Sequence, residues 1–398
     1  MDLAKNYCYS THIMDLSIII PCLNEEKTLP VVIEKCKNSI CRLGLEGEMI
    51  VADNGSTDGS VEVAKRLGAK VINVAQKGYG NALIGGMTAA QGQYLLMGDA
   101  DDSYDFEAMD DFVKEIKNGN DLVIGTRLKG GIEKGAMPFL HRYLGTPVLT
   151  FIINRLFKIK ISDCNSGMRC LTKKAFNDMK LCSSGMEFAS EMLIKAGLLK
   201  LRIKEIPIKF YRDKRGRPPH LNTWKDGWRH LKFMFLYSPT YLFLLPGTFL
   251  TTIGLVLMLA LIGGPLKISN TLFDYHSALL GSLLCILGYQ TLNTGIQVKA
   301  HAQNQEFKFE DNLLEKFYKF FSLEKGLILG LILFLAGFII DIFVLREWMQ
   351  AGYKDLHRAS VVAFSSTLMI LGLQTIFSSF FLSLLERKKT VTSHKFIP

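Results

Sequence analysis

Three acids in four residues, Asp99-Ala-Asp101-Asp102, follow the apolar run Tyr94–Gly98 without a break. Carboxylates this close repel one another unless a cation or a hydrogen-bond donor neutralises them. A hard divalent cation is the natural solution, because Mg²⁺ takes one or two carboxylates and completes its shell with substrate phosphates. Taken singly, D-x-D is weak evidence, since loop acids commonly cap turns. Two further polar clusters end apolar runs in the same way, Pro21-Cys-Leu-Asn-Glu-Glu26 and Asp53-Asn-Gly-Ser-Thr-Asp-Gly59. Asp53, leaving a strand pattern, is of the right type to accept hydrogen bonds from a uracil or guanine edge. Gly55 and Gly59 permit a tight backbone course, and Thr57 or Asp58 suits the cap of the next helix. Lys77-Gly-Tyr-Gly-Asn-Ala82 is a glycine-rich helix start suited to approaching a nucleotide. No G-x-G-x-x-G follows the first strand pattern, so this is not a dinucleotide fingerprint.

Such clusters need a scaffold that brings them to one edge. Asp15 to about Ile208 alternates short apolar runs with amphipathic stretches, the pattern of βαβ units around a mostly parallel sheet. Strands are expected at Leu16–Pro21, Glu48–Asp53, Lys70–Val74, Tyr94–Asp99 and Asp121–Gly125. Helical patterns at Ser60–Leu67, Asn81–Ala90 and Phe106–Lys117 lie between them. Ligands of open α/β sheets bind at the C-terminal ends of the strands, where these clusters fall.

Beyond about residue 235 the character changes. The 398 residues are 48% hydrophobic and only 21% charged, and the apolar excess is concentrated in Tyr241–Gly263, Ser277–Val298, Gly326–Leu345 and Val361–Leu385. Each approaches or exceeds the ~20 residues that cross a bilayer as a helix. Asp341 is the acid inside one of them. Much of the formal net charge of +10 lies between Lys200 and Lys232, just before the first span. A basic cluster there reads as a cytoplasmic face near anionic headgroups, in preference to a nucleic-acid surface. Lys299, Lys308, Lys316, Lys319 and Lys325 between spans two and three, with Arg387, Lys388 and Lys389 in the tail, place the N-terminal domain and the C-terminus in the cytoplasm. Trp224, Trp228, Leu231 and Phe235 recur at helical spacing among Lys225, Arg229 and Lys232, which suits an interfacial helix. A second apolar helical stretch, Phe139–Lys158, suits either the core or a membrane-dipping element. The eight cysteines form no C-x-x-C pair and no zinc spacing, as expected of reduced thiols. The first residues lack the apolar core of a signal peptide. The expected organisation is an extension at 1–14, a catalytic-looking domain at 15–211, a basic loop and juxtamembrane helix at 212–239, a four-helix membrane domain at 240–386 and a basic tail at 387–398.

In order along the chain, IIIPCLNEE, VADNGSTDGS, QKGYGNALIGG, GDADDSYD, GTR, SDCNSGMR and GMEFASEMLIKAG resemble the family 2 glycosyltransferases over about Leu16 to Tyr237. SDCNSGMRCL, EIPIKFYRDKRGRP and the WKDGWRHLKFM helix resemble the polyprenyl-phosphate (dolichyl-phosphate-type) branch within them. The Q-x-x-R-W motif of processive synthases is missing. The resemblance implies a GT-A-type α/β fold, a mostly parallel sheet with flanking helices, followed by the interfacial helix and four transmembrane helices. It further implies that Pro21, Leu23, Asn24, Glu25 and Lys77 bind the donor and that Asp53 holds its base. Asp99 and Asp101 would take Mg²⁺ or Mn²⁺, with Asp102 at the catalytic centre. Ser103 stands where some relatives carry Gln. Arg127 would meet the acceptor phosphate or the leaving diphosphate. Asn165, Ser166, Gly167 and Arg169 would form the sugar and acceptor side, and either Glu187 or Glu191 would contact sugar hydroxyls or the basic loop. Arg215 and Arg217, forks suited to phosphate, would bind the acceptor phosphate with them. The implied reaction is inverting transfer from a nucleotide-sugar, UDP-glucose first and GDP-mannose second, to polyprenyl phosphate. Another lipid acceptor such as diacylglycerol, and a transport or scaffold protein with an inactive domain, are the rival readings. A homo-oligomer is compatible with all of them.

Overall fold

The structure, a computed structural model, describes residues 14–215, 223–304, 321–353 and 358–393. The chain divides into two compact units that meet between Tyr237 and Ser238.

The first unit is built on seven strands: β1 Leu16–Cys22, β2 Gly47–Asp53, β3 Lys70–Asn73, β4 Tyr94–Met97, β5 Leu122–Thr126, β6 Arg169–Thr172 and β7 Ile203–Pro207. Their order is β3-β2-β1-β4-β6-β5-β7. Ile18, Ile19 and Ile20 in β1 are all fully buried, as a parallel strand covered on both faces requires. Helices α1 Leu29–Leu43, α2 Ser60–Arg66, α3 Tyr79–Ala89, α4 Asp110–Lys117, α5 Arg127–Gly130, α6 Thr146–Phe157, α7 Lys173–Met179, α8 Phe188–Leu198 and α9 Thr223–Leu236 follow in chain order. They cover the sheet with two apolar layers, one around Ile18, Val32, Leu96 and Phe112, the other around Ile19, Leu83, Met97, Phe176 and Leu193.

Register decides which loops meet. Cys22 pairs with Asp53 and Ile19 with Met97, so the segments after β1, β2 and β4 emerge together at one edge. The strand β6 is antiparallel to both its neighbours and pairs Arg169 with Met97. Its reversed direction delivers the preceding loop, Ser162–Met168, to the same edge as Asp99. The expected strands and helices are present. The reversal of β6 is the element that the apolar runs alone do not disclose.

Within α9 the buried side chains are His230 and Met234, one turn apart, while Trp228 is 64% exposed. The helix therefore has the amphipathic character expected, but its inner face is set by 230 and 234. Side chains before Gly227, Trp224 among them, lie outside the described residues.

The second unit contains α10 Leu245–Leu261, α11 Tyr275–Asn304, α12 Leu323–Gln350 and α13 Ala359–Ser393, with a short hairpin of β8 Leu266–Ile268 and β9 Thr271–Phe273 between the first two. Four helical stretches, Thr240–Leu261, Tyr275–His301, Leu323–Gln350 and Ala359–Leu385, are long and apolar enough to cross a membrane. Small residues let them approach: a Cβ on Gly254 would lie 2.4 Å from the Gly281 carbonyl oxygen. Hydroxyl pairs join α11 to α13, Ser282 with Thr367 at 2.7 Å and Tyr289 with Thr375 at 2.5 Å. The Ser365 hydroxyl of α13 donates to Asp341 of α12.

Candidate active site

At the C-terminal edge of the sheet lies a cavity of about 450 Å³, lined among others by Pro21, Leu23, Glu25, Lys77, Asp99, Asp101 and Arg215. Pro21, Leu23, Glu25 and Lys77 are expected to bind the donor and Asp99 and Asp101 the metal ion, and the structure brings them to one wall with Arg215. Asp99 accepts a hydrogen bond from the Tyr79 hydroxyl at 2.9 Å. Burial first, and the charge of Asp101 second, push the Asp99 carboxyl up to about 6. Gly167 makes room for it, since a Cβ there would sit 2.8 Å from Asp99 Oδ2. Asp101 is held from the other side, its Oδ1 accepting from the Ser103 amide at 3.0 Å.

The acids are opposed by a basic segment. Arg215 donates to Asp101 Oδ2 and, at 3.3 Å, to Glu25 Oε1. Lys214 Nζ donates to Asp102 Oδ2 at 2.6 Å, and Lys35 Nζ from α1 donates to Asp102 Oδ1 at 2.7 Å. Burial alone would raise the Asp102 carboxyl, but the two lysines outweigh it and hold it below its ordinary value. Both oxygens of Asp102 are thus engaged by lysine. Its expected place at the catalytic centre is corrected: it does not line the cavity, and it anchors the basic segment.

Two more donor-side expectations change. Asp53 turns back on its own loop, accepting from the Gly55 amide at 3.0 Å and the Ser56 amide at 3.1 Å. Asn24, at φ 58°, accepts from the Thr57 amide at 2.7 Å. Both shape the rim, and neither lines the cavity. Gly55 is required there, at φ +90° with Lys77 Nζ 2.0 Å from where a Cβ would be. Lys77 in turn donates to the Asn54 carbonyl at 2.6 Å.

A second cavity, of about 200 Å³, is lined by Arg127, His141, Thr146, Asn165, Phe210 and His230 among others. Arg127 grips Asp163 with two nitrogens, Nε at 2.7 Å and Nη2 at 2.9 Å. Nη1 has no hydrogen-bond partner among the described residues. Asn165 Nδ2 donates to Thr146 Oγ1 at 3.2 Å, and Ser190 Oγ lies 2.7 Å from His230 Nδ1. Arg169 and Ser166 are corrected. Arg169 is fully buried and donates to three backbone carbonyls, Ser166 at 2.9 Å, Ala189 at 2.7 Å and Cys164 at 2.8 Å. Such a side chain braces the β6 loop from below and is closed to a ligand. Ser166 is equally buried. Of the two acids, Glu187 is the N-cap residue of α8 and Glu191 within it is committed to the Cys182 and Ser183 amides and to Lys195. Arg217 lies outside the described residues.

Among the described residues no group of three or more His, Cys, Asp or Glu side chains is arranged around a metal position. The donor set is the pair Asp99 and Asp101, on which a guanidinium already stands as a cation. That pair fits a hard divalent ion that takes its other ligands from phosphate and water.

The sequence matches the model of glycosyl transferase family 2 over residues 17–180 and that of the family's C-terminal transmembrane region over residues 296–386. The low-salt glycan biosynthesis hexosyltransferase Agl6 of Haloferax volcanii is 36% identical over 368 residues, 92% of this chain and 88% of its own length. A dolichyl-phosphate hexose transferase of the same organism is 29% identical over 202 residues, covering 51% of this chain and 85% of its own. A dolichol-phosphate mannosyltransferase of Pyrococcus furiosus is 29% identical over 205 residues, 50% of this chain and 56% of its own. Glucosyl-3-phosphoglycerate synthase of Mycobacterium tuberculosis, solved with Mn²⁺ and UDP, superposes with a TM-score of 0.45 at 21% identity, covering 56% of this chain and 80% of its own.

Proposed function

This chain belongs to glycosyl transferase family 2, and we propose that it moves a hexose from a nucleotide-sugar to polyprenyl phosphate at the cytoplasmic face of a membrane. The larger cavity takes the donor, with Pro21, Leu23, Glu25 and Lys77 in its wall. Asp99 and Asp101 would hold Mg²⁺ or Mn²⁺, which supplies charge stabilisation for a departing nucleoside diphosphate. The smaller cavity takes the acceptor phosphate, to which Arg127 offers the nitrogen that Asp163 leaves over. A lipid phosphate is already ionised at neutral pH, so the chain needs no strong general base. Its task is to bring two polyanions together and to fix their positions. In-line displacement at the anomeric carbon inverts its configuration. UDP-glucose is the first donor and GDP-mannose the second on the resemblance stated above.

One observation carries the acceptor. The segment that walls the smaller cavity, from Pro138 through His141 and Thr146 to Leu149, turns a row of large apolar residues outward. Phe139 is 77% exposed and Phe151 70%, with Tyr143, Leu144 and Val148 exposed between them. A patch of this kind marks a membrane or protein surface. Beside a phosphate-sized cavity in a chain with four candidate spans, it supports a lipid acceptor. Two of the relatives described above act, by their names, on dolichyl phosphate.

The test uses the purified full-length protein in detergent, a panel of nucleotide-sugars, and undecaprenyl or dolichyl phosphate, with mass spectrometry of the lipids. The expected product is a hexosyl phosphopolyprenol of inverted anomeric configuration. Product on diacylglycerol alone, or donor hydrolysis without lipid product, overturns the assignment.

A further inference from the structure

The basic segment is attached to the acidic edge at two points of different character. At the first, Asp102 is 2% exposed and receives Lys35 and Lys214 on separate oxygens. Backbone bonds reinforce it: the Tyr211 amide donates to the Ser103 carbonyl at 3.0 Å and the Lys214 amide to the Asp101 carbonyl at 3.3 Å. At the second, the Arg215 side chain is 22% exposed, divides its nitrogens between Asp101 and Glu25, and leaves its Nε buried without a partner among the described residues. Arg215 also lines the larger cavity beside Asp99 and Lys77. The guanidinium therefore sits on the acid that the proposed function gives to a metal ion.

We propose that Arg215 is the resident counter-cation of the empty donor site, exchangeable for the divalent ion while the Lys35–Asp102–Lys214 anchor keeps its segment in place. The inference rests on the reading of Asp99 and Asp101 as metal ligands. Arg215 and a divalent ion compete for the charge of Asp101 and repel each other there, so each weakens the other's affinity for the site by the same factor. Without a counter-cation, Glu25, Asp99 and Asp101 would repel one another across a half-buried space. With one, the empty site is neutralised, and bare metal must compete for it. A metal ion arriving with a diphosphate meets a different balance. The displaced guanidinium then gains phosphate oxygens in place of the carboxylate, and its fork is suited to them. The site is thereby biased toward the metal–nucleotide complex over the metal alone.

The test is an electron paramagnetic resonance titration of Mn²⁺ into the full-length protein, first without nucleotide and then with UDP. Without nucleotide, Arg215→Ala is expected to bind Mn²⁺ about tenfold more tightly than the wild type, and Arg215→Lys to fall between them. Saturating UDP should shrink or reverse that difference. Asp101→Asn should weaken Mn²⁺ binding in either background. Equal affinities of wild type and Arg215→Ala in the empty protein overturn the exchange while leaving the metal reading intact. Absence of Mn²⁺ binding in every variant, with and without UDP, overturns both.

Discussion

In the smaller cavity Arg127 closes on Asp163 with two nitrogens, its side chain 9% exposed and the acid's 0%. In the larger cavity Arg215 is 22% exposed and reaches Asp101 and Glu25, which come from different loops. Both arginines serve anions at the same sheet edge, but the physics of removing a partner differs. Burying a charge is costly, and a buried pair that loses one member leaves the other uncompensated. A pair at a cavity mouth loses less, because water or a ligand can take the place of the departed partner. Arg127 is thus fixed for the life of the fold, and Arg215 is free to change hands.

The largest effect should come from breaking the fixed pair. Asp163→Asn removes the carboxylate that neutralises Arg127, and burial disfavours the stranded guanidinium. We expect a loss of about 3–5 kcal/mol of stability, read as a large fall in melting temperature. Arg215→Ala should cost less than that, because water can enter the cavity mouth beside Asp101 and Glu25. Similar losses at the two positions would remove the distinction between them.

Next in size is the reaction itself. Asp101→Asn should cut turnover by roughly 10²-fold or more, the usual cost of losing a key electrostatic group. Asp102→Asn, which loosens the Lys35 and Lys214 anchor without replacing a residue of the cavity wall, should cost far less. Steady-state rates with saturating donor and acceptor decide it. Equal losses would return Asp102 to the catalytic centre.

Much of this was legible beforehand, and the reasons are local. The clusters after β1, β2 and β4 announce themselves because a buried strand must end in something polar, and the spans because charge vanishes over so many residues. Asp99, Asp101, Glu25 and Lys77 share a wall, joined there by Arg215, which the resemblance assigned to the acceptor phosphate. Arg169 misled, since its motif marks a place in the chain and carries no information about burial. Its guanidinium satisfies three carbonyls of a loop whose course depends on the reversal of β6. Lys35 escaped notice because it is one lysine on an amphipathic helix, 67 positions before Asp102. Asp163 lay inside the quoted SDCNSGMR stretch. Its pairing with Arg127 needs the register that places the ends of β5 and β6 together.

The most selective effect sets two acids three residues apart against each other. Asp99 titrates at about 6 in the folded chain against an ordinary 3.8, owing to burial and then to the charge of Asp101. Raising an acid's folded value means that ionising it opposes folding. The penalty is absent below about pH 3.8, grows between there and 6, and is complete above 6. Asp99→Asn removes the ionisation, so its melting temperature should exceed the wild type's at pH 7–8 and converge with it near pH 4. Asp102 has the opposite sign. Its folded value lies below 3.8, so its ionised form supports folding above that pH and loses the contribution only as acid takes it through the folded value. Asp102→Asn should therefore melt lower than wild type at pH 7–8, with the gap closing only in stronger acid. Melting curves of the three proteins from pH 4 to 8 separate the two cases. A loss at Asp99→Asn throughout that range would mean that its carboxylate is stabilised where it stands, and that Asp99 and Asp101 do not repel across the cavity.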